Sequence, residues 1–423
     1  MSRKKVESSI EGIIPYSGEG STITIEGGAV CTQLGCAYTG DEAVAYAAKQ
    51  SNVDVIAAYP ITPQTIIVER FSEYVADGEV STKYLPVESE HSAMSACVGA
   101  SIGGARVFTS TASQGLALMH EVLYLASGLR CPIVMAVVNR ALSAPINIHG
   151  DHSDMMGSRD CGWIQLYAEN AQEAYDLTIQ AFKIAEDKNV QLPITVNLDG
   201  FFISHSTESM KSLADEDINK FLPSRTPIYK LDHDSPISIG GMALPEYYYE
   251  FKRQQEEAIN SAKPVVKNVG DEFGEMTGRK YGFFEAYEMN DADIAIISLG
   301  STSGSVRSVA KKLRAKGEKV GAIKLWMYRP FPTEELFSII KNLKVLAVMD
   351  RAISFGAPYG ALCSDISSIL QNRDSEVKVL NMIYGLGGRD IPTTTIQQVF
   401  EESLHTAKTG EVKQRIKFLD VRE

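Results

Sequence analysis

The 423-residue sequence has no uninterrupted apolar run of membrane-spanning length and no charged-then-apolar leader, so a cytoplasmic protein with no membrane partner is expected. It also lacks a basic stripe with interleaved aromatics. With 41 Lys and Arg against 53 Asp and Glu, the formal net charge of -12 argues against nucleic acid as a partner, because a phosphate backbone is held by clustered cations. Cysteine is sparse, six residues at positions 31, 36, 97, 131, 161 and 363, and no second close pair joins Cys31 and Cys36 in a zinc or iron–sulfur set. Reduced thiols in a reducing compartment follow. What remains is ordinary globular material, 44% hydrophobic and 22% charged, long enough for two or three domains with separate cores.

The most informative stretch is Pro86-Val-Glu-Ser-Glu-His-Ser-Ala-Met-Ser-Ala-Cys-Val-Gly-Ala100, where Glu88 and Glu90 stand at the handover from a short strand to a helix. That helix carries Ala93, Ala96, Cys97, Ala100, Ser101 and Gly104 at steps of three and four, leaving one face bare enough for a backbone or a flat ligand. A carboxyl so placed is either a proton-relay group or an acid favoured by the free N–H groups of a first helical turn.

Around it the pattern repeats. Residues 1–36 read as an N-terminal extension with one alternating patch, Thr22 to Glu26. Apolar strands are predicted over 53–58, 83–87, 106–110, 131–138, 164–167 and 193–198, separated by helices that include 90–103, 114–128 and 171–187. This alternation implies a parallel sheet with helices on both faces. Thr62 (in a turn stiffened by Pro60 and Pro63), Glu88 with Glu90, Ser110 to Gln114, and Asn139 with Arg140 all fall just after a strand's carboxyl end, the edge where such sheets bind ligands.

From Asn139 to Asp160 runs a long loop, a candidate lid that contains Asp151, His152 and Asp154. Arg140 at its root suits bidentate recognition of a carboxylate; the competing reading is a structural bridge to Asp151, Asp154 or Asp160. His149 with Asp151, His152 and Asp154 also admits a metal-ligand reading, but such groups often bond only the local backbone, and no metal site is assigned. The first domain is placed at 37–230 and a linking arm at 231–289, with a charged helix from Pro245 to Ile259. A second α/β domain follows over 290–423, its Leu299–Gly304 turn a simple strand-to-helix connection and not a phosphate loop.

The runs Tyr59-Pro-Ile-Thr-Pro63, Glu88-Ser-Glu-His91, Phe108-Thr-Ser-Thr-Ala-Ser-Gln-Gly115, Asn139-Arg-Ala141, Gly150-Asp-His152 with Arg159-Asp160, Gly162-Trp-Ile-Gln165, Asp199-Gly200, Tyr328-Arg-Pro-Phe331 and Gly385-Leu-Gly-Gly388 are specific in this order. With them, residues 37–423 resemble the α subunits of the 2-oxoacid:ferredoxin oxidoreductases, those of the pyruvate type. The resemblance implies an α/β fold in which a pyrimidine-type thiamine diphosphate-binding domain precedes a transketolase C-terminal-like domain. It gives Glu90 the proton shared with N1′ of the aminopyrimidine, and Thr62 and Arg140, with Asn139 beside them, the substrate carboxylate. Pro60, Ile61, Ser113 and Gln114 become cofactor contacts.

The resemblance further implies decarboxylation of a 2-oxoacid, formation of an acyl-CoA, and electrons passed to iron–sulfur clusters and then ferredoxin. No Gly-Asp-Gly with a following Asn, and no Cys-x2-Cys-x2-Cys-x3-Cys run, is present to bind Mg²⁺ and diphosphate or a cluster. A β subunit is therefore expected to hold the diphosphate and Mg²⁺, a cluster-carrying δ subunit to export electrons, and a γ subunit to complete the complex. Pyruvate leads because Arg140 is the one evident cation for one carboxylate; a branched 2-oxoacid, 2-oxoglutarate, oxalate, or a non-catalytic scaffold role are the alternatives.

Overall fold

In a computed structural model the described residues are 21–24, 30–373 and 375–422. Strands β1 (Ser21–Thr24) and β2 (Val30–Tyr38) precede helix α1 (Gly40–Gln50), and the alternation then runs β3 (Val55–Ala58), α2 (Thr65–Ala76), β4 (Lys83–Pro86), α3 (Glu90–Ile102) and β5 (Val107–Thr111). It continues through α4 (Ser113–Leu118), α5 (His120–Gly128), β6 (Ile133–Asn139), α6 (Ser153–Gly157), β7 (Ile164–Tyr167), α7 (Ala171–Glu186) and β8 (Ile194–Asp199). Strand β9 (Glu208–Leu213), α8 (Asp215–Phe221) and the long α9 (Pro245–Thr277) lead to the second unit. That unit comprises β10 (Phe284–Tyr287), β11 (Ile294–Ser298), α10 (Thr302–Arg314), β12 (Val320–Leu325), β13 (Met327–Arg329), α11 (Thr333–Ile340) and β14 (Val345–Asp350). It closes with α12 (Ala361–Gln371), β15 (Lys378–Ile383), α13 (Thr393–Thr409) and β16 (Ile416–Phe418). None of these helices is long and apolar enough to cross a membrane.

The first large sheet has the order β13-β7-β8-β6-β5-β3-β4 and is parallel except for β13. Its burial follows the two-residue period of a strand: Val134, Ala136 and Val138 of β6 join the core shared with α1, α2 and α7, while Ile133, Met135 and Val137 join the core under α3 to α5. The second sheet, β10-β12-β11-β14-β15-β16, is parallel apart from β10 and sorts Ile294 and Ile296 from Ala295 and Ile297 in the same way. In the first sheet the chain goes from β3 out to the edge strand β4, then returns to β5 on the other side of β3. The loops after β3 and β5 therefore diverge and leave a crevice at the carboxyl edge.

Three expected boundaries shift. Residues 1–20 and 25–29 of the expected extension lie outside the described residues, and residue 36 falls within β2, which pairs with β1 and β9 in a small antiparallel sheet. The charged helix continues past Ile259 through Pro264, because Ala258, Ala262, Val266, Val269 and Phe273 form a stripe at helical spacing that docks on the first core. Packing of that stripe outweighs the ~3 kcal/mol local cost of an internal proline. The linking arm also ends early, since β10 at residues 284–287 already pairs with β12.

The two units interlock. Lys324 of β12 is buried among Glu169, Glu173 and Glu285 at 2.6–2.8 Å, and Trp326 donates to Glu173. Strand β13, next in sequence, adds to the edge of the first sheet beside β7.

Candidate active site

Of the strand-end residues singled out from the sequence, Thr62 is bonded to Arg140, Arg140 and Ser113 share Asp154, and Glu90 is turned inward, whereas Glu88 is turned outward. Ser89 caps α3 by accepting from the Ser92 N–H, which places Glu90 as the first helical residue with its side chain turned inward, 6% exposed. Opposite it, Gly115 of α4 is required: a Cβ built there would lie 2.6 Å from both Glu90 Oε1 and Thr111 Oγ1. Neither group finds a hydrogen-bond partner among the described residues, and the Thr111 hydroxyl is fully buried. An unpaired carboxyl and an unpaired hydroxyl against a wall without side chain fit the ring nitrogen edge of an aminopyrimidine. Glu88, by contrast, is exposed and accepts from the Ser92 hydroxyl, which lowers its pKa.

A web of bonds fixes the loops to each other. Gln64 reaches back to the Tyr59 carbonyl at 2.8 Å and accepts from Ser110 at 2.9 Å, tying the proline-bracketed turn to the end of β5. Pro60 and Thr62 are exposed on the rim and Ile61 is half-buried. Ser113 is buried in the left-handed region at φ 46°, held by donation from its hydroxyl to the Ala141 carbonyl and from its N–H to Asp154. Its hydroxyl also lies 2.6 Å from Gln114 Oε1.

Arg140 Nε donates to the Asn147 carbonyl and Nη1 to the Thr62 carbonyl, each at 2.9 Å. A guanidinium has five N–H donors, so three remain without a partner among the described residues. Burial lowers the Arg140 pKa and Asp154 opposes that. The structural-bridge alternative does not hold for the guanidinium: Asp154 takes the Arg140 backbone N–H, Asp151 takes Ser153 and the Gly387 N–H, and Asp160 lies beside Arg159 and Arg329.

Other expectations change. Asn139 is fully buried and its amide nitrogen donates to Asp154 and Asn197, which ties it to the loop's support, while its Oδ1 has no partner among the described residues. Asp151, His152 and Asp154 are no lid: all three are buried, and α6 starts among them. Asp154 accepts from Ser113, Arg140, Asn139 and Met155; burial raises its carboxyl pKa against these donors. His152 Nε2 meets Asp199 at 2.5 Å, while His149 packs on Phe201, so the loop's histidines diverge.

Thr111 falls within the Ser110–Gln114 stretch singled out from the sequence, though with no role of its own; Asn147, Asp199, Arg351 and Gly387 received no role from sequence reasoning. Thr111, Asp199 and Gly387 all lie inside matching runs, and Asp199 also at a strand's carboxyl end, so position was a usable signal there; Asn147 and Arg351 offered none. Asp199 sits where the Ser301 N–H opens toward α10, accepting from it at 2.8 Å, with Arg351 at 3.0 Å. Burial alone would raise this carboxyl, but Arg351, His152 and Ser301 outweigh it and hold it well below the usual carboxylate range. The Leu299–Gly304 turn thus receives an internal carboxylate.

The fold and crevice are those of an α/β thiamine diphosphate-binding module joined to a second α/β domain. The chain belongs to the pyruvate flavodoxin/ferredoxin oxidoreductase family: its thiamine diphosphate-binding model matches residues 46–271, and the pyruvate:ferredoxin oxidoreductase core domain II model matches 292–396. It is 51% identical over 370 residues to the pyruvate synthase subunit PorA of Thermotoga maritima, covering 87% of this chain and 94% of that one. The subunit of the same name from Methanocaldococcus jannaschii is 50% identical over 85% of this chain and 92% of its own. The ketoisovalerate oxidoreductase subunit VorA of Pyrococcus abyssi is 44% identical, covering 90% and 96%. A solved 2-oxoglutarate:ferredoxin oxidoreductase from Magnetococcus marinus shares the fold at a TM-score of 0.68 and 21% identity, covering 88% of this chain and 65% of that one.

Proposed function

We propose that this chain is the α subunit of a heteromeric, thiamine diphosphate-dependent pyruvate:ferredoxin oxidoreductase, which decarboxylates pyruvate oxidatively, forms acetyl-CoA from CoA and passes the electrons to ferredoxin. The observation that carries this reading is the unpaired Glu90 carboxyl set against Gly115 and the orphaned Thr111 hydroxyl. When bound, thiamine diphosphate supplies the electron sink for decarboxylation. Glu90 would hold and return the proton at N1′, with the Thr111 hydroxyl behind it, and Pro60, Ile61, Ser113 and Gln114 would border the ring. Arg140 offers its unbonded N–H groups to the substrate carboxylate, with the exposed Thr62 hydroxyl beside it.

To a β subunit we assign the diphosphate and Mg²⁺, to a δ subunit the iron–sulfur clusters, and to a γ subunit the completion of a cytoplasmic complex. The relatives bear subunit names, which supports assembly. So does the stretch from Ile228 to Phe251, where Tyr229, Met242, Tyr247 and Tyr249 are each at least 67% exposed, an apolar load seldom left in water by a chain that works alone.

The test is Glu90→Gln in the complex purified anaerobically from its own cells. Subunit composition should be unchanged, while exchange of the cofactor's C2 proton with solvent slows by about 100-fold or more. Exchange at the native rate would leave a scaffold subunit. The VorA relative, at 44% identity, keeps a branched 2-oxoacid as the second reading. CoA-dependent dye reduction should give a higher kcat/KM with pyruvate than with 2-oxoisovalerate, and the reverse order would move the substrate assignment.

A further inference from the structure

One turn of the second domain reaches the loop that carries Arg140. After β15, the chain enters Gly385-Leu-Gly-Gly388, in which Gly387 and Gly388 have φ of 59° and 75°. This turn closes on the Arg140 loop. The Gly387 carbonyl accepts from Asn147 Nδ2 at 2.9 Å, and the Gly387 N–H donates to Asp151 at 2.9 Å. A Cβ on Gly387 would run into Asn147 Nδ2, and one on Gly388 into His149.

Asn147 is joined on three sides. Its side-chain oxygen accepts from the His149 N–H at 2.8 Å, its amide nitrogen reaches the second domain, and its own carbonyl receives Arg140 Nε. A planar guanidinium is oriented by the two acceptors that anchor it, here the carbonyls of Asn147 and Thr62. The Thr62 carbonyl belongs to the first domain; the Asn147 carbonyl is set from the second.

We propose that Asn147 is a positioning residue through which the Gly385–Gly388 turn of the second domain aims the Arg140 guanidinium at the carboxylate of the 2-oxoacid. The inference rests on the reading of Arg140 as the carboxylate-binding group. It gives the second domain a share in substrate recognition through the backbone of Gly387. Loosening Asn147 lets the guanidinium swing. The ion pair weakened in this way is common to bound substrate and transition state, so the effect falls on KM more than on kcat.

The assembled complex would carry Asn147→Ala, the near-isosteric Asn147→Asp, Gly387→Ala or Arg140→Ala. The Asn147→Asp variant keeps the acceptor for His149 and turns the donor to Gly387 into a repulsive contact between two oxygens, so it severs the link to the second domain while keeping the local turn. Both Asn147 variants and Gly387→Ala should raise the KM for pyruvate about tenfold, with kcat changed less than about threefold and the KM for CoA unaltered. A merely structural role would move kcat and both KM values together. In an Arg140→Ala background, Asn147→Asp should add nothing further. An unchanged pyruvate KM in Asn147→Asp, with a strongly raised one in Arg140→Ala, overturns this proposal and leaves the reading of Arg140 standing. An unchanged KM in Arg140→Ala overturns both.

Discussion

At the scale of single residues, the crevice is defined by what its groups fail to bond. Glu90 and Thr111 are turned toward Gly115 with no protein partner among the described residues, whereas Asp154, equally buried, is saturated by four donors. The first pattern suits a ligand and the second a scaffold. Gly115→Ala should push the Glu90 carboxyl aside, cut turnover about 100-fold and cost about 1–3 kcal/mol through the contact with Thr111; native turnover would show that the carboxyl has room to move. Asp154→Asn sets an amide donor against N–H groups and should cost about 3 kcal/mol in urea unfolding of the chain. A cost near zero would mean that the loop has other anchors. Glu90, Thr62 and Arg140 were legible because their chemistry stands at strand ends. Asn147 was not, since its role depends on a turn 240 residues away.

Among elements, helices and central strands follow from sequence periodicity because burial on alternating faces forces it. Strands β6 and β11 are such cases. The Asn139–Asp160 loop reads as a lid from its length alone, yet Asp151, His152 and Asp154 tie it to Gly387, Asp199 and Ser113 through long-range bonds invisible in local composition. The expected end of helix α9 falls short for a similar reason: Pro264 is a strong local stop, but the stripe that carries the helix past it packs against residues far away in sequence. Pro264 is exposed. Pro264→Ala should therefore stabilise the protein by about 1 kcal/mol, the restored helical bond outweighing the greater freedom of the unfolded chain. Calorimetry showing a lower melting temperature would mean that the helix needs the proline's geometry.

For the whole molecule, the junction at Asp199 joins the two sheets at their carboxyl edges, with His152 on one side and Arg351 and Ser301 on the other. Because the folded Asp199 carboxyl is held below its unfolded value, its contribution is present above about pH 4 and is lost as pH falls further. Asp199→Asn should cost about 3 kcal/mol at pH 7, and the gap to the native protein should narrow in acid; a gap independent of pH would show that packing, not charge, makes the junction. The order of synthesis is also constrained by the way β13 joins the first sheet. A growing chain cannot cover the outer edge of β7 until residue 329 has left the ribosome, long after β7 itself is made. Through that interval the open edge is a template for a neighbouring nascent chain, so a fragment that stops before residue 327 carries an aggregation hazard that the finished protein has closed.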